Sequence, residues 1–270
     1  MINSKGEVFV MKFFIFIYFF MFSNIAFSKP KELMNSWEIQ RYKYKESGVY
    51  DLKFDIEIEG QAKQLSETKK YGSIKNLSYT VYWYMGNKVD IVVNGLDGKW
   101  YDLRSALKSN LYGVLEVIFP TSLFDITRGY DLTSKSSFKV YAEDKSLQKP
   151  FREMWLSFSK VGALEEIKSK NALGTQILTF YTEKSRQLKN NFLIKKIVKK
   201  NFYGPRTINT VMDISWKGKN KQMFPSKINV KTNLSVPADK KDRVTTENRV
   251  LNFSNYFVNK DKAKIYFTKK

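Results

Sequence analysis

Residues 50–59 read YDLKFDIEIE, in which Tyr50, Leu52, Phe54, Ile56 and Ile58 alternate with Asp51, Lys53, Asp55, Glu57 and Glu59 up to Gly60. A period of two sends the apolar side chains to one face and the charged ones to the other, so the segment is a half-buried antiparallel strand. The alternation returns at Ile208/Thr210/Met212/Ile214/Trp216 and at Ile228/Val230/Thr232/Leu234/Val236. Shorter strand signals lie at 87–94, 130–133, 138–142, 154–158, 175–183 and 250–258. Residues 77–85 (LSYTVYWYM) are apolar and aromatic on both faces and call for cover on both sides. A chain dominated by such segments folds around an antiparallel sheet.

Two stretches carry the helical period instead. Residues 31–46 place Leu33, Met34, Trp37 and Tyr44 on one stripe, and Arg104–Phe119 does the same with Leu107, Leu111, Val114, Leu115 and Ile118 before Pro120 stops it. A short turn at Ser122–Ile126 follows. Residues 189–203 (KNNFLIKKIVKKNFY) fit a helical stripe as well as a strand, and their β-branched content and strand-rich surroundings favour the strand. With no repeat and no Gly/Pro-rich linker, residues 29–270 read as one domain. The expected fold class is α+β: a strongly curved antiparallel sheet of about ten strands, an incomplete barrel, with helices 31–46 and 104–119 on its concave face.

Residues 12–28 (KFFIFIYFFMFSNIAFS) read as an address, with Lys5 and Lys12 as the basic region and cleavage after Ser28. The run Phe13–Phe22 is shorter than the about 20 apolar residues a membrane span needs, so a cleavable leader is preferred to a retained anchor. Translation from Met1 or from Met11 gives the same leader. The chain has no Cys to receive a lipid, so the expected product is soluble, not lipidated and periplasmic.

Absence of Cys and His excludes thiolate nucleophiles, Ser–His relays, disulfides and Cys/His zinc sites. What stays open is carboxylate chemistry at Glu165–Glu166 or Asp125, or serine–lysine pairs such as Ser134–Lys135 and Ser159–Lys160, whose spacing carries no specific signal. No enzymatic activity, cofactor or metal is expected. The turn Asn94–Lys99 lacks any phosphate-loop spacing and reads as a strand connection in which Gly and Asn supply positive φ angles. The excess of 47 Lys plus Arg over 26 Asp plus Glu, a formal charge of +21, is scattered along the chain. Such scatter in an exported protein argues against nucleic acid; an anionic membrane surface or envelope proteins are the fitting partners, and lysine-rich composition alone accounts for the charge about equally well.

The aromatic content of 16% and the two-faced strand 77–85 exceed what one sheet face requires, and a concave sheet with helices in its mouth would use the surplus as an apolar pocket. At this point the order of elements resembles a known family. Leader, amphipathic helix, long alternating strand, strand pair, the turn Val93-Asn94-Gly95-Leu96-Asp97-Gly98-Lys99-Trp100-Tyr101-Asp102-Leu103, a helical plug at Ser105–Phe124 and the strand entry Arg128-Gly129-Tyr130-Asp131-Leu132 are similar to the LolA/LolB-like superfamily of periplasmic lipoprotein carriers. The endings Phe224–Ile228 and Leu251–Asn259 match its last two strands in type. The resemblance implies a half-barrel that holds acyl chains under a helical lid, without covalent chemistry. Two features depart from it: there is no Arg in the turn region Tyr84–Lys88, and there is extra sequence around 143–175.

On that basis the expected function is a non-enzymatic carrier of lipid or lipoprotein acyl chains towards the outer membrane, acting as a monomer. Alternation points Phe54, Ile56, Val81, Trp83, Trp100 and Trp216 inward as the lining, with Leu107, Leu111 and Leu115 as the lid. The alternatives are a β-rich envelope adaptor that binds a protein through a sheet edge and an envelope hydrolase using opposed carboxylates.

Overall fold

The alternating segment that opens the reading is strand β1 (Asp51–Ile58) of a fully antiparallel 12-stranded sheet. The structure is a computed structural model that describes residues 29–68, 70–219, 221–238 and 243–270; the leader assigned to residues 1–28 lies outside the described residues. The remaining strands are β2 (Ser78–Tyr84), β3 (Lys88–Asn94), β4 (Asp131–Ser136), β5 (Lys139–Glu143), β6 (Glu153–Phe158), β7 (Leu164–Asn171), β8 (Gly174–Ser185), β9 (Asn191–Tyr203), β10 (Arg206–Lys219), β11 (Gln222–Val236) and β12 (Arg243–Val258). Their order across the sheet is β3-β2-β1-β12-β11-β10-β9-β8-β7-β6-β5-β4. The sheet is a long meander from β4 to β12 onto which the first three strands add in reverse, and it is open, with β3 and β4 at its edges.

Pairing register explains why the apolar alternation matters. Ile56 stands beside Phe253 of β12 and Tyr79 of β2, and Tyr79 beside Val93 of β3, so one row of four strands presents one apolar face. Phe54 and Val81 pair in the next row, and all these side chains are buried. Each such Val, Leu, Ile or Phe contributes roughly 1.5–3 kcal/mol by leaving water. Helix α1 (Pro30–Gln40) and helices α3 (Tyr101–Ile118) and α4 (Leu123–Ile126) join the same hydrophobic cluster, to which every strand contributes, β4 and β8 through partly buried side chains. The expected class, α+β with a large antiparallel sheet and both anticipated helices on its apolar face, is what the chain adopts.

Several boundaries differ from expectation, each for a physical reason. The first helix stops at Gln40 rather than reaching residue 46, because Arg41 turns extended (φ −75°, ψ 147°) and pairs with Phe192, while Tyr42 N–H donates to the Phe192 carbonyl at 2.9 Å. Pairing to β9 thus outcompetes one more turn of helix, and only a 3-10 turn at Lys45–Ser47 follows. The second helix begins three residues early, at Tyr101, with Asp102 in its first turn where the helix dipole favours a negative charge, and still ends before Pro120. Residues 191–203 are a strand, held by β8 on one side and β10 on the other. The sheet has 12 strands, not about ten; β7 and two short helices, α2 (Gln61–Glu67) and α5 (Lys262–Lys269), had no readable signal.

Helix α5 supplies the second cover that strand 77–85 demanded. Trp83 and Val81 face the core, and Tyr82 on the other face stacks flat on Tyr266 with ring centroids 4.1 Å apart. In the turn after β3, Gly95 alone has a positive φ (81°) among the Gly and Asn residues of 94–98. A Cβ there would lie 1.8 Å from the Asn76 carbonyl oxygen, so the chain passes too close for any side chain.

Candidate functional site

Between the sheet and its helices lies a cavity of about 330 Å³. Its floor is the inner face of β7 to β10, with Leu164, Ile167, Leu178, Phe180, Ile194, Ile197 and Met212. Its roof is Trp37 of α1, Gly113 and Val117 of α3, and Leu123 and Ile126 of α4. On the α3 side the roof includes a glycine in place of a side chain. A Cβ built on Gly113 meets nothing within 4 Å. Gly113 and Glu116 are exposed, so the cavity opens to solvent along α3.

One end of the roof is fixed by a buried ion pair. Glu38 and Arg41, both 6% exposed, meet at 2.8 Å. Glu38 Oε1 accepts the Leu123 N–H at 2.7 Å, and Arg41 Nη1 donates to the Pro120 carbonyl at 3.1 Å. Lys43 adds a second cation 3.4 Å from Glu38. The pair therefore ties the end of α1 to the corner between α3 and α4. A charge so buried is tolerated only with its hydrogen bonds made, and here both partners also satisfy backbone groups left free at the helix ends.

The residues singled out from the sequence lie elsewhere in the core. Phe54, Ile56, Val81 and Trp83 are buried in closed packing under α3 and its C-terminal end: Trp83 stacks on Phe119 at 5.6 Å, and Phe54 packs on Phe119, Phe253 and Tyr256. Leu107, Leu111 and Leu115 form the buried stripe of α3 within the same cluster. Trp100 caps α3, half-buried and edge-on to Tyr71 at 5.1 Å. Trp216 is half-buried, donates from Nε1 to the Ile194 carbonyl at 2.8 Å, and borders a separate space of about 20 Å³, room for a water. None of the nine lines the larger cavity.

Sequence reasoning missed Leu178, Phe180, Ile197 and Met212 as lining, although all four sit on strands it recognised. Gly113 was the available signal: a glycine inside a helix costs about 1 kcal/mol relative to alanine and marks a close approach or a vacancy. The carboxylates weighed for catalysis are not assembled: Asp125 pairs with Arg128 on the surface, and Glu165 is exposed. No group of three or more His, Cys, Asp or Glu side chains suited to a metal occurs among the described residues. No helix among them is long and apolar enough to cross a membrane. Comparison with protein-family models, with curated proteins and with solved structures finds no match to this chain.

Proposed function

We propose that the chain is a non-enzymatic periplasmic carrier that shelters an acyl chain, free or lipoprotein-borne, in the cavity under its helices. The observation that carries this reading is the apolar, solvent-open space of about 330 Å³ between β7–β10 and α1, α3 and α4. A 150 Å³ apolar cavity holds a six-carbon benzene, so the space fits on the order of a dozen carbons, one chain rather than two. Each methylene buried adds ~0.8 kcal/mol, enough for useful affinity without polar recognition.

The reading includes a sheet curled into a half-barrel, and the reach of α3 supports it. Lys108 reaches Asp90 on the edge strand β3 at 3.3 Å, while Val117 borders the cavity with Leu164 and Ile167 of β7. In a flat sheet β3 and β7 would stand about 38 Å apart at ~4.8 Å per strand, whereas nine residues of helix cover only about 14 Å. A curled sheet brings both within reach of one helix.

Native mass spectrometry of the purified mature chain, followed by organic extraction, tests the reading. A co-purifying lipid or acylated peptide is expected. Gly113→Leu should abolish it by filling the cavity, and Gly113→Ala, which stabilises the helix by about 1 kcal/mol, should fold at least as well and keep most of it. A clean apo mass with no uptake of added dodecanoate would overturn the proposal in favour of an adaptor that binds a protein through an open sheet edge.

A further inference from the structure

The cavity is apolar along its length but not at its rim. Lys199 of β9 and Glu116 of α3 both border it, one from the sheet and one from the helix, and neither makes an ion pair among the described residues. The other charged group there, Arg41, is committed to Glu38 and to the Pro120 carbonyl. Beside Lys199, two neutral amides face the same way. The register pairs Leu178 with Lys199 and Gln176 with Asn201, so Gln176, Lys199 and Asn201 share the inner face of β8 and β9. Gln176 borders the cavity. Asn201 is buried beyond it and does not border the cavity.

The rim thus offers a cation with an amide donor, Lys199 and Gln176, on the sheet side and a carboxylate acceptor, Glu116, on the helix side. We propose that the cavity's ligand is a single-chain lipid with a zwitterionic head, a phosphate beside a protonated amine, whose phosphate meets Lys199 and whose ammonium meets Glu116. The inference rests on the carrier reading and adds the head group to it. Uniform positive charge at the rim would have selected an anionic head; the unpaired carboxylate opposite Lys199 disfavours a purely anionic lipid and favours one that supplies both signs.

Calorimetric titration with twelve-carbon lysophosphatidylethanolamine, lysophosphatidylglycerol and dodecanoate, each below its micelle concentration, separates the possibilities. The ethanolamine lipid is expected to bind at least fivefold tighter than the glycerol lipid. Glu116→Gln should erase that preference without weakening the glycerol lipid, and Lys199→Met should weaken both phospholipids at least fivefold while leaving dodecanoate less affected. Both residues lie at the solvent-open rim, so the variants keep the core intact. Equal affinity for all three heads, or a preference unchanged in Glu116→Gln, would overturn the head-group assignment and leave the carrier standing. Binding of none of them by the wild-type chain would overturn both.

Discussion

Tyr44 sits at the crossing of the aromatic core, with Tyr42, Trp83, Phe119 and Phe224 at ring-centroid distances of 5.3, 6.1, 5.5 and 5.7 Å. Its ring belongs there, but its hydroxyl has no hydrogen-bond partner and is buried, and burial pushes the phenol well above its ordinary pKa. Removing a buried, unsatisfied hydroxyl while keeping the ring relieves a desolvation penalty, so Tyr44→Phe should raise stability by about 1 kcal/mol, read as a higher urea midpoint at unchanged slope. An unchanged or lower midpoint would mean that the hydroxyl is hydrated in solution. The case also shows what alternation can and cannot tell at this scale. It assigned Phe54, Ile56, Val81 and Trp83 to the inner face, and they are there. Whether an inward side chain lies under another or under a gap depends on what the helices present above it, and the space that Phe180 and Met212 border has Gly113, with no side chain, in its roof.

Among the elements, α5 depends most visibly on charge. Asp90 of β3, 7% exposed, receives Lys270 at 2.5 Å, the Tyr266 hydroxyl, Lys108 of α3 at 3.3 Å and the Tyr112 hydroxyl at 3.4 Å. Burial would raise its carboxyl, but the Lys270 and Tyr266 hydrogen bonds, the Ile91 N–H and the Lys108 charge together hold it well below the usual carboxylate range. A lowered folded pKa gives stability that is complete above the unfolded value near 4 and fades only as the pH falls below it. Docking of α5 should therefore be the same at pH 7.5 and pH 5. Asp90→Asn should weaken it by about 1.5–3 kcal/mol, seen as faster amide exchange across Lys264–Thr268, and a variant with unchanged exchange would show that Tyr82–Tyr266 stacking suffices. No sequence pattern announced this helix, whose anchor lies in a strand far away in the chain. Strand β7 escaped for another reason: a bulge opposite Ser157/Phe158 breaks its period of two, so its buried Leu164 and Ile167 are three apart. By contrast, β1 keeps its alternation and was legible end to end, and the alternating stretches 208–216 and 227–236 were legible within the longer β10 and β11.

For the molecule as a whole, a formal charge of +21 predicts an attraction to anionic surfaces that weakens as ionic strength rises. The chain should sediment with phosphatidylglycerol vesicles at 0.05 M salt and release at 0.5 M, where screening shortens to a few ångströms, and it should ignore phosphatidylcholine vesicles at either. Retention at high salt would point to apolar insertion instead. The fold class was readable at this scale because periodicity is local, but the strand order was not. The contact that joins the two ends of the chain pairs β1 with β12, and the bond from Asn255 to Asp55 spans 200 residues, a distance over which no local pattern carries information. That pairing also sets an order in time. At ribosomal rates of about 5–20 residues per second, the outward-looking side of β1 waits on the order of 10–40 s for its neighbour to be made. Until β12 is made, the first three strands have no neighbour through which to join the rest of the sheet.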